Sequence, residues 1–190
     1  MRISVINKKG GVGKTSLSFS LAKDLEMFLL SNDDSTIELV YKDKAKIMKT
    51  PKIIENAVYD FGGFVDTGVL EILNASDIII VPLTADLNAF KKTVSLLKEI
   101  QKENIILIAN KSEKNDFQTI KEYFEKTYKF PIFEIKNSRI WKKTFETKQS
   151  VSEIKNENKI NQYVYRKSID GYENLLNYIK KEMKWISTMY

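Results

Sequence analysis

Short runs of aliphatic residues alternate along the chain with segments whose apolar positions recur every three or four residues. That is the pattern of a parallel α/β sheet. Residues 3–6, 28–30, 78–81 and 105–109 are almost wholly apolar, as strands covered on both faces of such a sheet are. Between the last two runs, Phe90, Val94, Leu97 and Ile100 repeat at helical spacing. Helices are also predicted over 16–27, 117–127 and 172–186, and strands over 57–59 and 132–135. In the last helix Tyr172, Leu175, Leu176, Ile179, Met183 and Ile186 form one stripe, with Lys180, Lys181 and Lys184 among the other positions. Residues 36–55 are the least regular, and Ile37-Glu38-Leu39-Val40-Tyr41 has the composition of an added strand. No repeat, low-complexity tract or linker interrupts the pattern, which predicts one domain over residues 1–190.

Composition narrows the chemistry. The 190 residues include no histidine and no cysteine. Ser-His-Asp and Cys-His catalysis, Cys/His zinc sites, Cys-ligated clusters and disulfides are therefore excluded. Carboxylates, lysines, hydroxyls and backbone groups remain, with an oxygen-bound metal as the possible inorganic partner. Six of the seven glycines fall in two clusters, Gly10, Gly11 and Gly13, then Gly62, Gly63 and Gly68. The net charge of +6 is carried by residues 136–190, which hold 12 basic and 6 acidic side chains. Such an excess is either a solvated lysine surface or a face for a polyanion. No apolar run has the ~20 residues of a membrane span, and no export signal is visible. A cytoplasmic location is expected.

Lys8-Lys9-Gly10-Gly11-Val12-Gly13-Lys14-Thr15 follows an apolar strand and opens a helix. Apart from Lys8 in place of the first glycine, it is a phosphate-binding loop. Glycines let backbone N–H groups curl around phosphates, and the helix N-terminus adds a favourable dipole. In such a loop Lys14 reaches the phosphates and the Thr15 hydroxyl binds Mg²⁺.

The two lysines flanking the glycines make the loop resemble the deviant Walker A motif of the ParA/MinD ATPases. The resemblance runs over about residues 1–152 and implies a three-layer P-loop NTPase fold, a mainly parallel twisted sheet flanked by helices. Residues 10–16, through Ser16, would hold ATP, and Lys9 would cross a nucleotide-sandwich homodimer to the partner's phosphates. Phe28-Leu29-Leu30-Ser31-Asn32-Asp33-Asp34-Ser35 is similar to the family's D-x-D-P-Q segment. That alignment implies that Asp33 positions the attacking water, although Ser31, Asp34 and Ser35 depart from the pattern. Asp60-Phe61-Gly62-Gly63 is similar to switch II, with Asp60 holding Mg²⁺ through water. Asn110 corresponds to the residue that contacts adenine. Only 27 positions separate Asp33 from Asp60, so the helix usual between them is abbreviated or absent.

The resemblance implies ATP-dependent DNA segregation of the plasmid-partition type, since no DNA-reading domain precedes the loop. An ATP-bound homodimer would bind DNA without sequence preference and associate with the nucleoid. Hydrolysis, stimulated by a ParB-like centromere-binding partner, would release it. Arg139, Lys142, Lys143, Lys148, Arg166 and Lys167 are the candidate DNA contacts. Three alternatives stay open. Asn110-Lys111-Ser112-Glu113 also resembles the guanine motif N-K-x-D, with Glu113 one methylene too long. The stripe on 172–186 with its lysines and Trp185 would suit a MinD-like membrane cycle, although closing an α/β domain needs the same stripe and membrane attachment is the less expected outcome. The irregular segment around Asp33 would also suit a nucleotide-binding adaptor that no longer hydrolyses.

Overall fold

The computed structural model describes residues 1–63 and 65–188, apart from the side chains of residues 186 and 187. The apolar runs pair as β1 (Arg2–Ile6), β2 (Phe28–Ser31), β3 (Ala45–Ile47), β4 (Ala57–Phe61), β5 (Ile78–Leu83), β6 (Ile105–Ser112) and β7 (Ile132–Lys136). They form one sheet in the order β3-β2-β4-β1-β5-β6-β7, and every neighbouring pair is parallel. The α-helices among the described residues are α1 (Lys14–Asp24), α2 (Ile37–Tyr41), α3 (Thr67–Ala75), α4 (Leu87–Ile100), α5 (Asp116–Glu125), α6 (Ile140–Thr147), α7 (Val151–Glu157), α8 (Lys159–Val164) and α9 (Arg166–Thr188), with one 3-10 turn at Lys42–Lys44 after α2.

Strand side chains alternate between faces, and this divides the core in two. Ile3, Val5, Val58, Ile80, Ile106 and Ile108 pack with α1, α2, α6, α7 and α9. Ile6, Tyr59, Phe61, Ile79, Val81 and Leu107 pack with α3, α4 and α5. The result is the three-layer α/β architecture. After β1 the chain builds the sheet to one side through β2, β3 and β4, then crosses to the other side with β5. The order reverses at β1, so a crevice opens at the carboxyl ends of β1 and its neighbours, the usual ligand position in such sheets.

Residues 37–41 are helical rather than an added strand. A half-buried strand would alternate its exposure, yet the neighbours Glu38 and Leu39 are both exposed. Ile37, Val40 and Tyr41 instead share one helical face in the core. The Tyr41 hydroxyl donates to the carbonyls of Ala22 (3.3 Å) and Met27 (3.2 Å). The extra strand is β3, a few residues later. The helix between Asp33 and Asp60 is thus five residues long, the abbreviation that the 27-residue spacing implied.

The terminal helix α9 begins at Arg166, six residues before the apolar stripe. Tyr172, Leu175, Leu176 and Ile179 are buried and Met183 half-buried against the core. Ile186 of the stripe lies outside the described side chains. Gly171 lets α9 pack closely on β7, since a Cβ there would collide with the Glu134 carbonyl oxygen. The Tyr172 hydroxyl and the Ser152 hydroxyl each donate to Asp24 at 2.7 Å, fastening α9 and α7 to the end of α1.

Candidate nucleotide-binding site

The loop joining β1 to α1 stands in the crevice. Gly11 (φ 76°) and Gly13 (φ 86°) both adopt the left-handed region that glycine enters without strain. Gly13 is the N-cap of α1 and supplies no side-chain acceptor. The first-turn N–H groups are therefore left for an external anion, with the helix dipole adding to their pull. Lys14 begins the helix, and its ammonium donates to the Lys9 carbonyl at 3.3 Å. Burial holds its pKa below the ordinary lysine value, against the opposing pull of Asp60 and Asp33.

Four side chains outside the glycines fix the loop. Asn7 is fully buried at the end of β1. Its amide donates to the Pro82 carbonyl and to the Thr93 hydroxyl, both at 2.9 Å, while its oxygen accepts from the Lys9 N–H at 2.9 Å. Lys8 turns away to Ser95 and Glu99 on α4, which explains how a lysine fits where phosphate loops have their first glycine. From the other side, Asn110 donates to the Val12 carbonyl and Lys111 to the Gly11 carbonyl, both at 2.7 Å. Lys111 (φ 54°) sits at an irregularity in the β6–β7 register, the kind of bulge that re-aims a side chain beside a site. Among these four only Asn110 carries a role in the sequence pattern. Lys8 and Lys111 fall inside motifs that assign them no such anchoring role, and Asn7 shows no signal beyond its place before the loop.

Asp60, on β4, is almost fully buried beneath α1. The Ser18 hydroxyl donates to its Oδ1 at 3.2 Å, and among the described residues Oδ2 has no hydrogen-bond partner. Desolvation pushes its pKa up to about 6, and the Thr15 and Ser18 hydroxyls with the Lys14 ammonium draw it back only in part. An unpaired buried carboxylate oxygen facing a threonine hydroxyl fits a hard, oxygen-seeking divalent cation such as Mg²⁺. No cluster of three or more acidic side chains occurs among the described residues, so phosphate oxygens or water would complete the cation's shell.

Asp33 is exposed just past β2. Its carboxylate lies against Gly62, where an added Cβ would stand 3.4 Å from Asp33 Cγ. An added Cβ on Gly63 would stand 2.9 Å from the Lys8 carbonyl oxygen. The second glycine cluster thus brings Asp33, the backbone after β4 and the phosphate loop together. Gly68 belongs to α3 and packs on Pro51 instead.

Beside the loop is a cleft of about 580 Å³ bordered by Gly13, Ser16, Asn110, Lys111, Ser138 and Trp141. Arg139 and Lys142, candidates for DNA contact, line this same cleft. The other DNA candidates are spread over α6, the turn after it and the first turn of α9. Lys142 pairs with Glu146 (3.3 Å), Lys143 with Glu157 (3.6 Å) and Arg166 with Asp170 (3.7 Å). Lys143 also donates to Asn161 at 3.0 Å and is half-buried. Arg139, Lys148 and Lys167 are exposed and have no ion pair among the described residues.

A glycine loop between β1 and a bare helix N-terminus, a lysine at its head and a buried carboxylate beneath it define a P-loop nucleotide-binding protein. The family model for the CobQ/CobB/MinD/ParA nucleotide binding domain matches residues 3–161. The chain belongs to this family, whose ParA and MinD branches are P-loop ATPases. Solved structures with the same fold include a plasmid partition protein from Borrelia burgdorferi bound to AMPPNP, at 18% identity and TM-score 0.68 over 95% of this chain and 98% of that one. McdA from Cyanothece, in its apo form, is 14% identical with TM-score 0.65 over 93% and 99% of the two chains. MinD from Aquifex aeolicus is 14% identical with TM-score 0.62 over 93% and 97%. No curated protein sequence matches significantly. Among the described residues no helix is long and apolar enough to cross a membrane.

Proposed function

We propose that this protein is a Mg²⁺-dependent ATPase of ParA type that segregates DNA. It binds DNA as an ATP-bound homodimer and releases it after hydrolysis stimulated by a centromere-binding partner. The observation that carries the choice within the family is the fate of the terminal stripe. Tyr172, Leu175, Leu176 and Ile179 are spent in the core, so among its described side chains α9 keeps no continuous apolar face for a lipid surface. Exposed Arg139, Lys148 and Lys167 support a polyanion as the ligand instead. The plasmid-partition role named for the Borrelia structure supports the same reading.

In this mechanism the N–H groups of residues 10–16 and the Lys14 ammonium bind the β- and γ-phosphates. Thr15 would hold Mg²⁺ directly and Asp60 would hold it through water, and the ion would supply neutralisation of phosphate charge. Asp33 orients water for in-line attack on the γ-phosphorus, and ADP leaves as the bond to its β-phosphate oxygen breaks. Lys9 serves the partner's nucleotide across the dimer. The reaction needs placement and charge more than covalent participation, which suits a chain without histidine or cysteine.

Asn110 supports adenine over guanine. Its amide nitrogen gives one N–H to the Val12 carbonyl, and its buried Oδ1 has no partner among the described residues. The remaining acceptor suits the adenine amino group, whereas guanine offers a carbonyl at that position. Glu113 accepts from the Asn137 side chain at 2.7 Å, which engages one oxygen of the carboxylate that a guanine motif would use. Unlabelled ATP is expected to displace labelled ATP at least about tenfold better than GTP, since unpaired polar groups discriminate strongly. Equal competition by GTP would overturn the assignment.

Co-sedimentation with random-sequence DNA and with anionic liposomes, each with and without Mg-ATP, tests the function. Capture by DNA that requires ATP and falls steeply with salt is expected. ATP-dependent capture by liposomes alone would replace segregation with a membrane cycle.

A further inference from the structure

The three residues leaving β2 are joined to the chain leaving β4 by more than strand pairing. Backbone register between the two strands runs from Phe28 with Ala57 to Ser31 with Asp60 and stops there. The next link is made by a side chain, Asn32 Oδ1, which accepts the Gly62 N–H at 2.8 Å. On one side of Asn32, the Ser31 hydroxyl accepts the Asp33 N–H at 3.1 Å. On the other, the Asp33 carboxylate rests against Gly62 in the space a side chain would fill. Asp33 itself is exposed, so packing does not hold it.

We propose that Asn32 is a positioning residue for hydrolysis. Its side chain fastens the loop carrying Asp33 to Gly62, keeping that carboxylate in register with the Asp60 segment and the phosphate loop. The proposal rests on Asp33 as the residue that orients water. A group orienting water for in-line attack must hold its place within a fraction of an ångström, and small displacements cost large factors in rate. Asparagine suits the task because its amide oxygen reaches one rung past the strand end while its backbone continues into the loop. Nucleotide binding does not call on Asn32, because the loop and α1 are anchored separately by Asn7, Asn110 and Lys111.

The test measures AMPPNP affinity and single-turnover hydrolysis of Mg-ATP in the full chain for Asn32→Ala, Asn32→Asp, Asp33→Ala and the Asn32→Ala/Asp33→Ala double variant. Asn32→Ala should bind AMPPNP within about threefold of the parent and hydrolyse ATP about tenfold more slowly. Asn32→Asp keeps an oxygen at the same reach and should stay within about threefold of the parent rate. The double variant should be no slower than Asp33→Ala alone, because Asn32 acts through Asp33. A slow Asp33→Ala beside an unaffected Asn32→Ala overturns the positioning role and leaves the reading of Asp33 intact. Independent losses that multiply in the double variant, or an Asn32→Asp as slow as Asn32→Ala, also overturn it. Normal turnover in Asp33→Ala removes the reading of Asp33, and the role of Asn32 with it.

Discussion

Lys14→Gln is expected to weaken ATP binding about 100-fold while leaving the fold intact. Lys14 stands at the N-terminus of α1, where Gly13 leaves the helix without a side-chain cap and the dipole already favours an anion. Its ammonium is partly stripped of water, and within the loop it has only the 3.3 Å contact to the Lys9 carbonyl, with Asp60 and Asp33 acting through charge. Much of the cost of placing a cation here is therefore met before nucleotide arrives. A charge-assisted contact to phosphate is worth ~2–3 kcal/mol, and each ~1.4 kcal/mol is a factor of ten. Glutamine keeps an N–H donor, one bond nearer the backbone, and loses the charge. Because the lost cation was desolvated, thermal stability of the free protein should not fall. Calorimetric titration with ATP and a melting curve in its absence check both halves. Affinity within about threefold of the parent would mean that phosphates do not sit where the loop points.

Much of this site is legible in the residues themselves because phosphate binding depends on backbone. Glycines at φ 76° and 86° leave a spacing that can be recognised without the fold. Asp60 and Gly62 are legible for the same reason, a carboxylate at a strand end followed by residues that let the chain approach. The side chains that hold the loop in place leave no such trace. Asn7 works through Pro82 and Thr93, far along the chain, and Lys111 works because a bulge turns it over Gly11. Trp141 lines the cleft with its indole N–H unpartnered among the described residues.

Strands β5 and β6 are the easiest to foresee, since their runs at 78–81 and 105–109 are apolar throughout, as central parallel strands are. Residues 37–41 show the limit. Five residues are too few to display a helical period clearly, and Ile, Val and Tyr favour strands when counted alone. What decides the matter is tertiary, the seat of Ile37 in the core and the two carbonyls that receive the Tyr41 hydroxyl. The helices α6, α7 and α8 are hidden for a related reason. They are short and joined by tight caps such as Ser150, whose hydroxyl accepts from Glu153 N–H while the Glu153 carboxylate accepts from Ser150 N–H.

Asp60→Asn is expected to stabilise the nucleotide-free protein at pH 8 and to cripple hydrolysis at least about 100-fold. The buried carboxyl has a pKa of about 6, against ~3.9 in an unfolded chain. The folded state therefore binds more protons than the unfolded state between these values, so stability falls as pH rises through that window and levels off above it. A difference of ~2 pKa units amounts to ~2–3 kcal/mol, or ~5–10 °C in melting temperature for a domain of this size. Asparagine has the same shape and no charge to desolvate, so its advantage should be full at pH 8 and nearly absent at pH 4. Urea denaturation at both values reads this directly. The same carboxylate, left with one oxygen unpaired near Thr15, is the group proposed to hold the cation. The variant should therefore lose most of the extra stability that Mg-ATP confers on the parent, along with turnover. Equal stability at pH 8 would show that water reaches Asp60, and undiminished hydrolysis would show that the cation is held elsewhere.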